Sequence, residues 1–170
     1  MIRPACSDAP GLFRLFVYGT LKRGYWNHET YCGSAVAVEE ATVRGRLHEL
    51  ASGIPVLEVP EHDIITHGSA DILGDLALQR RLKVNPTGYP ECNGEKWQQI
   101  EGELITLPYP VITLPPIDRL EGFVPNGASL YSRVLLPVEL SDECVTTAWC
   151  YVAGPATARM LTPTSLTRWG

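Results

Sequence analysis

The feature that most constrains the fold is an apolar run that ends at a glycine. Residues 12–18 read LFRLFVY, with Arg14 as the one charged side chain, which is the composition of a buried β-strand. Gly19 ends the run, and glycine tolerates the positive φ that a sharp turn can require. Such a turn can leave successive backbone N–H groups pointing at one spot. Because Lys22 and Arg23 follow, the stretch predicts either a binding site for a carboxylate or phosphate, or an ordinary turn with solvated basic residues.

Size and charge narrow the class of protein. The chain has 170 residues, 45% hydrophobic and 19% charged, which is typical of one globular domain with its own core. No window is apolar enough to span a membrane, and residues 1–10 lack the core of a secretory signal. We therefore expect a cytoplasmic protein whose residues 1–11 are a disordered or extended N-terminus. The net charge of −5 argues against nucleic acid as a partner, so we expect a small-molecule ligand, no membrane partner, and leave the oligomeric state open.

The cysteines and histidines do not indicate a metal centre. The five cysteines contain no C-x-x-C pair, so we expect free and mostly packed thiols rather than disulfides or a zinc site. The four histidines lack the spacing of metal ligands, which predicts that there is no metal site. His28 is the histidine that could line a cavity beside the basic turn, because it follows that turn closely.

Alternating apolar residues predict a sheet. The predicted strands after the first are 35–50, either as one long strand or as two joined at Glu39-Glu40, then 54–59, 97–107, and the hairpin of 131–140 with 146–153. Asn27 is predicted to cap a short helical turn that ends before Gly33. Residues 155–170 form a tail with no predicted element.

Residues 61–96 interrupt the strand pattern. Apolar residues repeat at helical spacing from 71 to 82, which predicts an amphipathic helix, and a turn-rich run follows at 85–94. We interpret 61–96 as an insertion in a single domain of residues 12–154. It is either a lid over a site or a surface excursion that covers an apolar face of the sheet.

A second helix is predicted near residue 120. The run from 113 to 122 reads TLPPIDRLEG, with Thr113 as the cap, two prolines in the first turn, and Gly122 just beyond the end. On this interpretation Asp118 is a charge near the helix N-terminus, and Arg119 is solvated.

Glu121 is the most informative single residue. It lies in the last turn of this helix, at the negative end of the helix dipole, and Leu120 and Phe123 would desolvate it. Both effects raise the affinity of the carboxyl for a proton, which is how a general base is tuned. The alternative is a solvent-exposed glutamate near a helix end. Tyr131 and Tyr151 lie in predicted strands and could either aim a hydroxyl into a pocket or belong to the core.

Several short motifs occur together in a specific order. They are FVYGTLKRG at 16–24 with Asn-His at 27–28, GRL at 45–47, GIP at 53–55, GEL at 102–104, ID-x-LEG at 117–122, Y-x-RV at 131–134 and AW-x-YV at 148–152. In this combination the chain resembles the γ-glutamylcyclotransferase-like family, which includes the γ-glutamylamine cyclotransferases and the plant AIG2-like proteins. The resemblance spans roughly residues 12–153.

The resemblance implies an α+β fold: a small mixed β-barrel with short flanking helices, and a cavity where the opening loop meets the short helix. It implies that Glu121 is the catalytic acid/base. It also implies a set of substrate-binding residues: Tyr18, Gly19, Thr20, Leu21, Tyr131 and Tyr151. In the implied reaction, the α-amine of a γ-glutamyl group attacks its own γ-carbonyl, which yields 5-oxoproline and releases the attached amine. Closing a five-membered ring within one substrate needs no cofactor.

Some features leave alternatives open. The stretch 61–96 is longer than in compact family members, so the leaving amine is undefined, and the glutathione-specific branch has serine where Thr20 stands, which argues against glutathione. A second hypothesis is a non-catalytic binding module that recognises γ-glutamyl or carboxylate ligands in the same cavity. A third is a thiol-dependent amidohydrolase that uses Cys32 or Cys150.

Overall fold

A computed structural model of the chain describes residues 11–82 and 97–170. The predictions for residues 1–10 and for the turn-rich run 85–94 lie outside the described residues. The strands are β1 Leu12–Val17, β2 Ala37–Glu49, β3 Pro55–Glu58, β4 Thr66–His67, β5 Gln98–Pro108, β6 Tyr131–Leu140, β7 Val145–Ala153 and β8 Thr162–Pro163. The helices are α1 His28–Cys32, α2 Ile72–Arg81 and α3 Pro110–Leu120, with a 3₁₀ turn at Glu61–Asp63.

The sheet closes into a mixed barrel. Its strands run in the order β2-β5-β1-β7-β6, and β6 returns to β2 through the pairs Ala41↔Leu140 and Thr42↔Glu139. The β1–β7 pair is parallel, whereas the other pairs in this ring are antiparallel. The small mixed β-barrel with short flanking helices is therefore confirmed. The predicted stretch 35–50 is one strand, because β2 pairs first with β5 and then continues along β3.

β1 is apolar apart from Arg14 because both of its faces are buried. Phe13, Leu15 and Val17 belong to a cluster that also contains residues of α2 and α3, whereas Phe16 belongs to a second cluster built from strand residues. Arg14 is buried among them, with its Nε donating to the carbonyl oxygen of Thr147 at 2.8 Å. The strand that leads to the cavity is thus held rigidly on both sides.

The start of α3 corrects the sequence prediction. The helix begins at Pro110, after Tyr109 in a left-handed conformation at φ 52°, and Thr113 lies inside it with its hydroxyl donating to backbone carbonyls. Pro115 and Pro116 therefore lie inside the helix. They lack the N–H groups that would donate to the carbonyl oxygens of Val111 and Ile112, and these two residues are exposed. As a result Asp118 lies in the last turn, and its assignment to the N-terminal part was wrong.

The part of 61–96 that the structure describes packs against the barrel. β4 pairs with β6, and α2 contacts α3 and β7. The helix predicted at 71–82 is confirmed, with Asp71 as its cap, but its buried face is partly polar, since Asp75 and Gln79 are buried beside Leu76.

The tail packs on the rest of the fold. β8 pairs with β2, and Trp169 packs against the cluster of strand residues. In the two described ranges, no helix is long and apolar enough to cross a membrane.

Candidate active site

A cavity lies where the loop after β1 meets the end of α3. Its volume, counted as the space open to the centre of a water molecule, is about 50 Å³. The structure brings all seven predicted site residues into its lining: Tyr18, Gly19, Thr20, Leu21, Glu121, Tyr131 and Tyr151. The remaining lining residues are Phe16, Val17, Ile54 and Pro55. No described residue of 61–82 lines this cavity.

The loop turns sharply, but not as predicted. The N–H of Lys22 donates to the carbonyl oxygen of Gly19 at 3.1 Å, which closes the turn. Gly19 does not have a positive φ. Glycine suits this position because a Cβ atom would lie 3.2 Å from Cγ of Pro55, across the cavity wall. In the described part of the chain, the N–H groups of Gly19, Thr20 and Leu21 donate no hydrogen bond.

α1 holds this loop from behind. The side-chain amide of Asn27 donates to the hydroxyl of Thr20 at 2.9 Å, and Nδ1 of His28 lies 2.7 Å from the carbonyl oxygen of Leu21. Asn27 therefore does not cap α1, which has no side-chain cap. The sequence left open whether His28 lines the cavity; its side chain is buried and is not part of the lining. Its role is to support the loop.

The basic residues after the loop point elsewhere. Nζ of Lys22 donates to the carbonyl oxygen of Trp169 at 2.6 Å, and burial lowers the pKa of Lys22, helped by the nearby charge of Arg168. Nε of Arg23 lies 3.2 Å from Oε1 of Glu103. Neither side chain lines the cavity, so Lys22 and Arg23 do not contribute directly to its wall.

Glu121 sits at the end of α3 in a well-defined helix cap. Gly122 follows at φ 62°, and the N–H groups of Gly122 and Phe123 donate to the carbonyls of Arg119 and Asp118. This pattern is the Schellman cap that a glycine in this position favours. It fixes the backbone from which Glu121 projects towards the cavity.

The carboxyl of Glu121 is chemically unusual. It is half-buried, and no side chain or backbone group in 11–82 or 97–170 forms a hydrogen bond or ion pair with it. Burial, and to a smaller extent the charge of Asp118, raises the pKa of Glu121 to about 7. A carboxyl of this kind can accept and donate a proton near neutral pH.

The tyrosines contribute their rings rather than free hydroxyls. Tyr18 donates to the carbonyl oxygen of Tyr151 at 2.8 Å and accepts from the N–H of Leu57 at 3.2 Å. Tyr131 donates to the carbonyl oxygen of Pro55 at 2.9 Å. The Tyr151 hydroxyl donates to Oδ1 of Asp118 at 2.6 Å. The hydroxyls are thus engaged within the protein, and burial raises the pKa of all three tyrosines.

The sequence analysis missed a charged network beside the cavity. Arg133 is fully buried and pairs with Asp118 on one side and Asp75 on the other, each at 2.9 Å. Its guanidinium also lies over the rings of Phe123 and Trp149. The signal that could have revealed it is an arginine within an otherwise apolar strand, since a buried arginine requires partners.

The thiols lie outside the cavity. Cys32 and Cys150 are fully buried, and burial raises the pKa of both, that of Cys32 to about 12. Neither has the exposure and lowered pKa of a nucleophile. Cys144 is exposed and is not part of the lining, while Cys6 and Cys92 are outside the described residues. Across the ranges that the structure describes, no group of His, Cys, Asp or Glu could hold a metal ion.

Comparisons with known proteins indicate the family and the fold. The family model described as "Gamma-glutamyl cyclotransferase, AIG2-like" matches residues 15–80 and 70–170. The fold is similar to that of an AIG2-like protein from Mus musculus, with a TM-score of 0.55 and 18% identity over 94% of this chain and 89% of the mouse chain. It is also similar to YkqA from Bacillus subtilis, with a TM-score of 0.53 and 21% identity over 93% of this chain and 39% of the longer bacterial chain. No curated protein matches the sequence.

Proposed function

Because the chain belongs to the γ-glutamyl cyclotransferase, AIG2-like family, we propose that it converts a γ-glutamyl amine or a γ-glutamyl amino acid to 5-oxoproline and the free amine. The observation that carries the proposal is the position of Glu121. Its carboxyl has no partner in the described part of the chain and shares a cavity with the loop of Tyr18, Gly19, Thr20 and Leu21.

The two halves of the cavity suit the two ends of a glutamyl group. The unbonded N–H groups of Gly19, Thr20 and Leu21 can hold the substrate carboxylate or the oxyanion that develops on the γ-carbonyl. The rings of Tyr131 and Tyr151 form apolar walls around the folded chain. In this arrangement the substrate is held in the bent conformation that cyclisation requires.

The reaction itself needs one acid/base group. Glu121 takes a proton from the substrate α-ammonium, and the freed nitrogen attacks the γ-carbonyl carbon, which forms the ring C–N bond. Glu121 then gives the proton to the leaving nitrogen as the original amide C–N bond breaks. The Glu121 carboxylate then takes the second surplus proton from the ring nitrogen and passes it to the released amine, so the products are 5-oxoproline and the protonated amine.

Two effects account for the acceleration of the reaction. Holding the amine and the carbonyl of one molecule together makes the step unimolecular, which accounts for much of the acceleration. General acid–base catalysis by a single carboxyl contributes typically about 10²–10⁴-fold. A pKa of about 7 for Glu121 suits both halves of that role, because neither protonation state is strongly favoured at neutral pH.

The decisive experiment is turnover of a panel of γ-glutamyl amines and γ-glutamyl amino acids, with 5-oxoproline as the readout. We expect release of 5-oxoproline from at least one member, and we expect Glu121→Gln to reduce kcat by about 10²-fold or more. The matched control is Glu29→Gln, an exposed glutamate on α1, which should keep full activity. A fully active Glu121→Gln variant would contradict the assignment.

A binding measurement distinguishes an enzyme from a non-catalytic binding module. Calorimetry with the same panel should show that Glu121→Gln still binds the substrate, since the loop amides are unchanged. A wild-type protein that binds panel members but releases no 5-oxoproline from any of them would instead support a binding module.

A further inference from the structure

The last turn of α3 carries two carboxyls on one side. Asp118 and Glu121 are three residues apart, a spacing that places their side chains next to each other on a helix. Asp118 accepts hydrogen bonds from Nε of Arg133 at 2.9 Å and from the hydroxyl of Tyr151 at 2.6 Å. Tyr151 also lines the cavity that Glu121 lines, so Asp118 is one hydrogen bond away from the wall of that cavity.

Arg133 connects this site to α2. Its Nη1 donates to Oδ2 of Asp75 at 2.9 Å, and its Nη2 donates to the carbonyl oxygen of Ser69 at 3.0 Å. Asp75 in turn accepts from the N–H and the hydroxyl of Ser69, both at 2.8 Å. A fully buried guanidinium held on both sides has little freedom to move. The chain Asp75–Arg133–Asp118 therefore links α2 rigidly to the end of α3.

The groups that face Glu121 from other elements are neutral at neutral pH. They are Tyr18 after β1, Cys32 on α1, Tyr131 on β6, and Cys150 and Tyr151 on β7. Burial raises the pKa of each of them, so none carries a charge near pH 7. Of the charged residues in the described ranges, Asp118 is the one whose charge acts on Glu121.

The charges of Asp75, Arg133 and Asp118 do not cancel. One guanidinium faces Asp75 and Asp118, so the three groups carry one net negative charge before Glu121 ionises. Ionising Glu121 adds a second negative charge, which costs energy in a half-buried site. A positively charged substrate ammonium entering beside Glu121 would remove that excess.

We propose that Asp118 is a positioning residue for the reaction proposed above: its charge strengthens Glu121 as a base towards the substrate ammonium, and Arg133 with Asp75 holds that charge in place. The inference rests on the proposed function for its catalytic meaning. Arg133 and the Tyr151 hydroxyl stabilise the ionised form of Asp118, opposing the burial that raises the pKa of Asp118. Asp75 on α2 thus contributes to this support through its hydrogen bond with Arg133.

The first test is Asp118→Asn, which removes the charge while keeping the size and one acceptor oxygen. The pKa of Glu121 is measured directly by NMR titration of ¹³C-labelled glutamate carboxyls, with the signal assigned by its loss in Glu121→Gln. We expect the pKa of Glu121 to fall by about one unit in Asp118→Asn. The acidic limb of the kcat/KM profile should move down by the same amount, with kcat reduced more than KM is raised. Asp142→Asn, the same change at an exposed turn, should leave both measurements unchanged.

A second variant covers the case in which Asp118→Asn does not fold. Asp75→Asn leaves Asp118 and Glu121 intact but removes the negative charge of the other partner of Arg133. The positive charge of Arg133 then offsets the charge of Asp118 more fully. In Asp75→Asn we expect the pKa of Glu121 to fall as well, but by less than in Asp118→Asn. An unchanged pKa of Glu121 in whichever of these variants folds would overturn the inference.

The NMR titration also separates this inference from the proposed function. If no γ-glutamyl compound is turned over, the proposed function fails, while the shift of the Glu121 signal still reports whether Asp118 controls its proton affinity. If turnover occurs but the titration is insensitive to Asp118, the function stands and the positioning role is wrong.

Discussion

Nδ1 of His28 lies 2.7 Å from the carbonyl oxygen of Leu21, seven residues earlier in the chain. The neighbouring pair repeats this spacing, because Asn27 donates to Thr20, also seven residues earlier. Asn27, the N-cap residue of α1, and His28, its first residue, therefore hold two adjacent residues of the cavity loop. The loop is held through the Thr20 hydroxyl and the Leu21 carbonyl oxygen, and its N–H groups have no partner in the described part of the chain.

The first prediction concerns this support. Asn27→Ala should weaken binding of γ-glutamyl substrates by about 2–10-fold, because a hydrogen bond of this kind contributes about 0.5–1.5 kcal/mol. The effect should fall on KM and on the binding constant from calorimetry, with kcat for bound substrate less affected. Glu29→Ala, on the same helix but exposed, is the control. Equal binding by Asn27→Ala and wild type would show that the loop does not need this anchor.

These anchors show what sequence patterns miss. The strands were predictable because alternation along one strand reports which face is buried. The contacts of Asn27 and His28 cross a turn, and nothing periodic marks them. The contacts of Lys22 and Arg23 could not be predicted for the same reason, since their partners Trp169 and Glu103 are distant in the sequence.

The helix end was more predictable than its start. Gly122 marks the end of α3 reliably, because few other residues adopt its left-handed conformation. The prolines at 115 and 116 suggested a first turn, but the exposed side of the helix tolerates the missing hydrogen bonds in its middle. Because the helix starts earlier than predicted, Asp118 lies near its end rather than near its beginning. The ion pair of Asp118 with Arg133 was therefore not predicted.

The second prediction tests the cap that places Glu121. Gly122→Ala should lower the free energy of unfolding by about 1–2 kcal/mol, because a Cβ atom is strained at φ 62° and would lie 3.1 Å from Cδ1 of Leu130. It should also lower kcat, since the preceding residue is the candidate base. Urea denaturation and 5-oxoproline release measure the two effects.

The matched control for this variant is Gly24→Ala. Gly24 also has a positive φ of 85°, but no atom lies within 4 Å of an added Cβ. It should lose stability through backbone strain alone and retain its kcat. A Gly122→Ala variant with unchanged kcat would show that the cap does not position Glu121.

The third prediction concerns the Tyr18 hydroxyl, which joins Tyr151 and Leu57 through two buried hydrogen bonds. Tyr18→Phe keeps the ring in the cavity wall but leaves a buried carbonyl and a buried N–H without their partner. We expect a loss of about 2 kcal/mol or more in the free energy of unfolding. Tyr109→Phe, which removes a hydroxyl from a side chain on the surface, should lose almost nothing. Similar stabilities for the two variants would contradict a structural role for the Tyr18 hydroxyl.

The fourth prediction is that the candidate base costs stability above neutral pH. Glu121 has a pKa of about 7 in the folded protein, against about 4.3 for an unperturbed glutamate. Between these values the folded state binds the proton that the unfolded state has released, so stability falls as pH rises through this range. Its contribution is fully present below about pH 4 and is lost above about pH 7.

Glu121→Gln removes this titration, since its side chain is neutral at every pH. The variant should be more stable than wild type at pH 8 by about 1–2 kcal/mol, allowing for solvent screening at a half-buried carboxyl, and the difference should shrink as the pH falls to 5. Urea denaturation at several pH values measures it, with Glu29→Gln as a control that should show no such trend. A constant difference between Glu121→Gln and wild type from pH 5 to 8 would mean that the carboxyl titrates normally. It would then lack the proton affinity that the proposed reaction requires of it.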